Sequence, residues 1–194
     1  MTKQFEETQI LNDQRKKIHP HKFTLWIAIG SIVMMFAGLT SAYVVKRQQP
    51  GWTNLDIPQA FWFSTLTILV SSLTLQLSLR AFRERAIKLF RRWLSITAVL
   101  GLGFITLQAI GFYALWSSGV TFHGSGEGQF LYVIAGLHAL HVLAGIIALI
   151  VTLAKAFSQK IRSYDPVPLE LVCTFWHFVD FLWIYLFIFF LWIR

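Results

Sequence analysis

The chain has 194 residues, of which 56% are hydrophobic and only 13% are charged, and its formal net charge is +8. A mean hydropathy of +0.59 excludes an ordinary soluble domain and indicates an integral membrane protein. The positive charge lies in connectors that would meet anionic lipid headgroups, so it does not require a nucleic-acid partner.

Five predominantly apolar runs follow one another, each close to or above the roughly 20 residues that a helix needs to cross hydrocarbon. They predict transmembrane helices over residues 23–45, 60–79, 93–116, 130–154 and 171–193. The expected fold class is therefore all-α, an integral membrane bundle of five helices in one domain, residues 23–194. A polar segment, residues 1–22, precedes this domain, and its length argues against a cleaved signal peptide.

Lysine and arginine residues are distributed unevenly between the two sides of the predicted bundle. The N-terminal segment and the second and fourth connectors hold 14 of the 17, and the other side holds Lys46, Arg47 and Arg194. By the positive-inside rule, the N-terminus is expected in the cytoplasm and the C-terminus outside.

Small and hydroxyl-bearing residues predict which helix faces pack on protein, because they let membrane helices approach closely. Hydroxyl residues of the second span recur at steps of three and four, which places them on one face: Ser64, Thr67, Ser71, Thr74 and Ser78. Glycines predict close contacts of the first and third spans in the same way: Gly30, Gly38, Gly101, Gly103 and Gly111.

Polar residues form two clusters inside the last two spans, where such groups are costly and usually have a role. His138 and His141 share one helical face, and His177 and Asp180 share another. Counted at 1.5 Å per residue from the cytoplasmic ends, these four residues lie roughly 24, 20, 10 and 14 Å deep. His138 and His177 therefore differ too much in depth to bind one metal ion.

The clusters leave several hypotheses open. In the leading one, Asp180 accepts a hydrogen bond from an imidazole N–H and joins the fourth helix to the fifth. A proton relay is the alternative, although the first two spans have no acid, base or histidine and the third offers only Gln108. A self-sufficient membrane haem or metal protein and a small transporter or proton channel are further alternatives.

Two strings in these spans resemble signatures of subunit III of the haem-copper terminal oxidases, the cytochrome c oxidase type. TFWHFVDFLWIYLF, residues 174–187, preceded by Glu170 and containing Trp176, resembles the WHFVD helix of that family. GLHALHVLAG, residues 136–145, is similar to its paired-histidine helix. STLTILVSSLT, FITLQAIGFYAL and FAGLTSAY resemble three further helices, so the chain is similar to a short, five-helix form of a family whose long form has seven.

The resemblance implies a non-catalytic subunit of a proton-pumping respiratory oxidase, which reduces oxygen to water in aerobic electron transport. Its expected partners are oxidase subunits I and II in a bacterial cytoplasmic membrane, and a larger respiratory supercomplex is a further expected partner. Haem and copper are then expected in the partner subunits and not in this chain. The resemblance also implies that the subunit stabilises the catalytic subunit and binds phospholipid, with Lys155 at a basic family position suited to a lipid phosphate.

The resemblance assigns no catalytic, cofactor-binding or metal-binding residue to the chain. The residues expected to be buried and structural are His138, His141, Glu170, Trp176, His177 and Asp180. Two positions depart from the family pattern, since Ile32 and Gly111 stand where the family usually carries glutamates. Both departures weaken the expectation that this subunit assists proton uptake.

Overall fold

A computed structural model describes residues 20–48, 58–119, 126–158 and 166–193. These residues form the helices α1 (Pro20–Lys46), α2 (Ala60–Arg83), α3 (Ile87–Ser117), α4 (Gly126–Phe157) and α5 (Val167–Ile193). The described residues contain no strand, and all five helices are long and apolar enough to cross a membrane. The predicted all-α fold with five spans is confirmed.

The helices extend beyond the apolar runs that predicted them, because helical hydrogen bonding continues into polar residues at the edge of the membrane. α2 runs on to Arg83, and α3 begins at Ile87, before its apolar run. The turn between them is a Schellman motif, in which Arg85 has a φ of 58° and the Ala86 N–H donates to the Ala81 carbonyl at 2.9 Å. This tight turn places α2 and α3 side by side.

Four of the helices form a closed ring. α2 packs on α3, α3 on α4, α4 on α5 and α5 on α2, whereas the described part of α1 contacts only α4 and α5. Two indole side chains of α5 point into the space between these four helices. Trp176 meets Gly101 of α3 there, and Trp183 meets Phe104 of α3. α5 is therefore the central helix, and α1 is added to the outside of the ring.

The helices alternate in direction, so that one end of the bundle gathers the starts of α1, α3 and α5 and the ends of α2 and α4. Glu170 in the first turn of α5 meets Lys22 of α1 and Arg83 of α2 there. We call this the basic end, because it carries Lys22, Arg80, Arg83, Arg85, Lys88, Arg91, Arg92 and Lys155, whereas Lys46 and Arg47 lie at the opposite end. The arrangement agrees with the two-sided charge distribution of the sequence.

The hydroxyl face of α2 packs on protein, as predicted. Ser64, Ser71, Thr74 and Ser78 are buried, and Thr67, the fifth predicted member of the face, is partly buried. Thr74 Oγ1 lies 2.8 Å from Thr97 Oγ1 of α3, so the two hydroxyls hydrogen-bond across the helix pair. One pair of hydroxyl groups thus joins α2 to α3, and Ser78 adds a hydrogen bond to the Phe90 carbonyl of α3 at 3.4 Å.

The glycines of α1 and α3 behave differently. A Cβ added to Gly101 or Gly111 of α3 would stand 2.9 Å from an aromatic ring of a neighbouring helix. At Gly30 and Gly38 of α1, no such atom of the described residues lies within 4 Å of the added Cβ. The predicted close contacts exist at Gly101 and Gly111, whereas a Cβ at Gly103 would meet only Thr67 Cγ2 at 4.0 Å. For Gly30 and Gly38, the same prediction is wrong among the described residues.

Candidate functional site

The indole ring of Trp176 lies between two glycines. Its side chain is only 1% exposed. A Cβ added to Gly101 of α3 would stand 2.9 Å from Cη2 of the ring, and one added to Gly145 of α4 would stand 3.1 Å from Cε3. Because a packed interior has little free space, neither position accommodates a larger side chain without movement of the ring. Trp176 thus joins α5 to both α3 and α4.

His138 of α4 faces the inside of the ring of helices. Its side chain is 2% exposed, and its ring centroid lies 5.2 Å from that of Trp183 and 6.5 Å from that of Phe104. Neither ring nitrogen has a hydrogen-bond partner among the described residues. His138 is therefore a buried polar group in aromatic surroundings.

His141, although only three positions away, faces α1. Its Nδ1 lies 2.7 Å from the carbonyl oxygen of Leu137, one turn earlier in α4, so this nitrogen carries the proton and donates. The ring meets that of Phe36 of α1 edge to face, with the centroids 5.9 Å apart. His141 therefore belongs to the contact between α1 and α4.

His177 of α5 faces α2. Its Nδ1 hydrogen-bonds with the Ser72 hydroxyl. Its Nε2 lies 3.4 Å from Gln76 Oε1 and 3.4 Å from Cys173 Sγ. This half-buried polar group therefore links α5 to α2, and no pattern in the sequence indicated Ser72 as its partner.

Asp180 of α5 is 3% exposed, and neither carboxyl oxygen hydrogen-bonds to a histidine of the described residues. The predicted hydrogen bond between an α4 imidazole and Asp180 is therefore wrong. The reason is local, since His141 donates to the Leu137 carbonyl of its own helix and turns towards α1. His138 packs instead against the ring of Trp183.

Glu170 ties three helices together at the basic end. Its two carboxylate oxygens lie 2.7 Å from Lys22 Nζ of α1 and 2.7 Å from an Arg83 guanidinium nitrogen of α2. A carboxylate in the first turn of a helix is also favoured by the helix dipole. Its cationic partners were not predicted, although the placement of Lys22 and Arg83 on the same membrane side as Glu170 was a usable signal.

The polar groups do not converge on one point. His138, His141 and His177 face α5, α1 and α2 respectively. In the described parts of the chain, no three His, Cys, Asp or Glu side chains lie close enough together to hold a metal ion. The arrangement distributes these side chains over several helix contacts.

Both positions that depart from the family pattern lie in apolar surroundings. A Cβ added to Gly111 would stand 2.9 Å from Cε1 of Phe61, whose ring also packs edge to face on Phe112 with centroids 5.2 Å apart. Ile32 of α1 is partly buried against the hydrophobic core. The Phe61 ring therefore occupies the space into which a side chain at position 111 would extend.

Lys155 lies in the last turn of α4, at the basic end, and is exposed. The next residue, Ala156, accepts a hydrogen bond of 2.7 Å from Arg91 Nε of α3. The Arg91 guanidinium also lies over the Phe157 ring, 5.3 Å from its centroid. The cationic side chains of Arg91 and Lys155 thus both lie at the basic end, where α3 begins and α4 ends.

Comparison with known proteins agrees with this architecture. Residues 20–194 match the family described as cytochrome c oxidase subunit III. The chain is 34% identical over 182 residues to a probable cytochrome c oxidase subunit 3 of Mycobacterium leprae, and the match covers 88% of this chain and 90% of that protein.

Two further relatives carry the same name. The cytochrome c oxidase subunit 3 of Corynebacterium diphtheriae is 33% identical over 176 residues, with 84% of this chain and 85% of that protein covered. The protein of Bacillus subtilis is 25% identical over 167 residues, with coverage of 84% and 81%. The chain therefore belongs to the cytochrome c oxidase subunit III family, as a multi-pass bacterial membrane protein and a part of an oxidase complex.

Proposed function

We propose that this chain is a non-catalytic subunit that stabilises the catalytic subunit of a proton-pumping respiratory oxidase, with subunits I and II as its partners. The observation that supports this function is the dispersal of the histidines inside its membrane spans. His138, His141 and His177 each contact a different helix of this chain. Side chains used in this way hold helices together, and the haem and copper of the complex would be held by the partner subunits.

A self-sufficient haem or metal protein and a small proton channel are the competing functions. The first requires ligands that converge, whereas His141 faces α1 and His177 faces α2. The second requires a continuous series of polar groups through the membrane. Neither ring nitrogen of His138 hydrogen-bonds to another side chain, so the described residues supply no continuous series of polar groups that runs from His138 across the membrane.

Affinity purification of the tagged chain from its native membrane in mild detergent tests the subunit assignment. The expected result is co-purification of an oxidase core that contains haem and copper, identified by its absorption spectrum and by mass spectrometry. A chain that elutes alone without colour contradicts the assignment. A chain that elutes alone with a Soret band, lost in His138→Leu, would establish the haem-protein alternative instead.

The stabilising role has its own test, a comparison of the oxidase with and without this chain during sustained turnover. We expect similar initial rates per haem, followed by faster loss of activity in the enzyme that lacks the chain. Restoring the purified chain to that enzyme is the matched control and should restore the slow decay. Equal decay with and without the chain would contradict a stabilising role.

The basic end is proposed to face the cytoplasm across the bacterial cytoplasmic membrane, which also places the N-terminus inside. Lys88 lies at the basic end and Lys46 at the opposite end. Single cysteines at these positions, in a chain whose native Cys173 is replaced, can be labelled in intact cells with a membrane-impermeant maleimide. Lys46→Cys should react and Lys88→Cys should not, and the reverse pattern would contradict the orientation.

Phospholipid binding is proposed at the same basic end, where Lys155 is exposed in the last turn of α4. Cationic side chains at this depth attract anionic headgroups. Native mass spectrometry of the complex should show fewer retained phospholipids in Lys155→Gln. The control Lys46→Gln, at the opposite end, should retain the parent number, and equal retention in both variants would exclude Lys155 as the headgroup ligand.

A further inference from the structure

A cavity of about 190 Å³ lies between α3 and α4. Its walls are mostly apolar and include the aromatic rings of Phe104, Phe112 and Trp183. Two polar side chains also line it, Gln108 of α3 and His138 of α4, and these are only 8% and 2% exposed. Buried polar groups that face a cavity need a hydrogen-bond partner there, because leaving them unpaired is costly.

The orientation of the Gln108 amide follows from its neighbour Ser64. The Ser64 hydroxyl donates to the Phe61 carbonyl at 3.0 Å, so its oxygen is available only as an acceptor. Gln108 Nε2 donates to that oxygen at 3.2 Å. The amide oxygen, Oε1, therefore points elsewhere, and no group of the described residues hydrogen-bonds to it.

His138 also lacks hydrogen-bond partners among the described residues. A neutral imidazole has one N–H donor and one nitrogen acceptor. Both nitrogens of His138 lack a partner in the described part of the chain, although this ring and Gln108 border the same cavity. The cavity thus brings together a donor on α4 and an acceptor on α3 that do not bond directly to each other.

We propose that this cavity is a binding site for ordered water, which accepts a hydrogen bond from the His138 ring and donates one to Gln108 Oε1. A water molecule needs a volume of only about 10–15 Å³ and two to four polar partners, so the space suffices. None of the residues that line the cavity is charged, which favours a neutral ligand over an ion. The water would connect α3 to α4 through two groups that are otherwise unpaired.

X-ray footprinting of the intact oxidase complex tests this site. Brief irradiation converts bound water into hydroxyl radicals, which modify the nearest side chains and are located by mass spectrometry. Phe104 and Phe36 form a matched pair, because both are 1% exposed and only Phe104 is among the residues that line this cavity. We expect Phe104 to be modified several-fold faster than Phe36.

Two variants show whether the polar groups hold the water. Gln108→Leu removes the acceptor, while the Ser64 hydroxyl keeps its bond to Phe61. Ala135→Val keeps both polar groups and fills part of the cavity, which Ala135 lines. In either variant the rate at Phe104 should fall towards that at Phe36, so one variant decides the question if the other does not assemble.

The proposal is overturned if Phe104 reacts no faster than Phe36 in the parent complex, or if its rate is unchanged in the variants that assemble. A high-resolution density map of the complex provides a second test of the occupant of the cavity. Density for a water within hydrogen-bond distance of Gln108 and His138 supports the site. Continuous density from the cavity past Ala139 and Leu143 into the lipid would instead identify an acyl chain as the occupant.

Discussion

α1 and α5 have the same length of 27 residues, and both are apolar enough to cross a membrane, yet they are buried to very different extents. In the most apolar stretch of each helix, 17% of the residues of α1 and 50% of those of α5 are buried inside the chain. α5 contacts all four other helices, with α3 reached by its tryptophan rings, whereas the described residues of α1 contact only α4 and α5. Apolar character therefore identifies a span without showing how deeply it is packed.

The difference between the two helices lies in specific side chains. Between helices in lipid, packing and hydrogen bonds replace the hydrophobic effect as the source of association. Three side chains of α5 make such contacts. Trp176 packs between two glycines, His177 hydrogen-bonds to a hydroxyl of α2, and Glu170 forms ion pairs with two cationic side chains. α1 exposes large apolar side chains such as Trp26, which is 63% exposed. The comparison predicts that equivalent substitutions have larger effects in the central contacts than on α1.

Trp176→Ala should have the largest effect. Removal of a buried tryptophan side chain costs about 3–5 kcal/mol through lost contacts and a residual cavity. Trp26→Ala in α1, a change of the same chemistry at an exposed position, should alter stability by less than about 0.5 kcal/mol. Detergent titration of the purified complex, followed by release of this subunit, compares the two. Equal losses would contradict the distinction between a central and a peripheral helix.

Gly101→Ala should be the next most damaging change. Its Cβ would stand 2.9 Å from the Trp176 ring, and overpacking of this kind costs about 1–3 kcal/mol. Gly38→Ala is the matched control in α1, because its Cβ meets no neighbouring atom of the described residues within 4 Å. The same titration should show a loss for Gly101→Ala and none for Gly38→Ala. A tolerated alanine at position 101 would show that the indole ring moves freely.

Glu170→Gln should have a smaller effect that depends on salt. The change weakens both ion pairs, whose cationic side chains are 42% exposed for Lys22 and 58% exposed for Arg83. Pairs this exposed contribute up to about 1 kcal/mol each, and salt screens them. The loss should therefore shrink at high ionic strength. Glu84→Gln, at a carboxylate without an ion pair in the described residues, should show neither the loss nor the salt effect.

Tyr185→Phe should have the smallest effect. It removes the hydroxyl that hydrogen-bonds Thr40 of α1 at 3.0 Å, while Thr40 keeps its bond to the Phe36 carbonyl. Side-chain hydrogen bonds between membrane helices average about 0.6 kcal/mol. Tyr113→Phe, at a residue of α3 that is 74% exposed, is the control and should leave the titration unchanged. A loss as large as that of Gly101→Ala would mean that α1 is held much more firmly than its burial indicates.

The sequence predicted the number, order and approximate limits of the helices, because hydropathy and length report directly on membrane spans. It also predicted the packed hydroxyl face of α2, since a spacing of three and four residues fixes a helix face. It did not predict which neighbour a face meets. His138 and His141 are three residues apart, yet one packs on Trp183 and the other on Phe36, because α4 has neighbours on several sides.

Partner identity was the main information that the sequence lacked. Gly101 indicated a close contact, but only the structure shows that the approaching group is Trp176. Gly111 departs from the family pattern, but nothing in the sequence indicated that the ring of Phe61 lies beside it. The missing hydrogen bond to Asp180 has a related cause, since His141 donates to the Leu137 carbonyl of its own helix and not to a side chain of another helix.

The proposed function requires that this chain hold no redox centre and that it support subunits that do. Its most direct test is to measure haem and copper per catalytic subunit in the purified oxidase, with this chain present and after its removal. The account predicts the same haem and copper content in both preparations. A loss of haem or copper in proportion to the chain removed would contradict it.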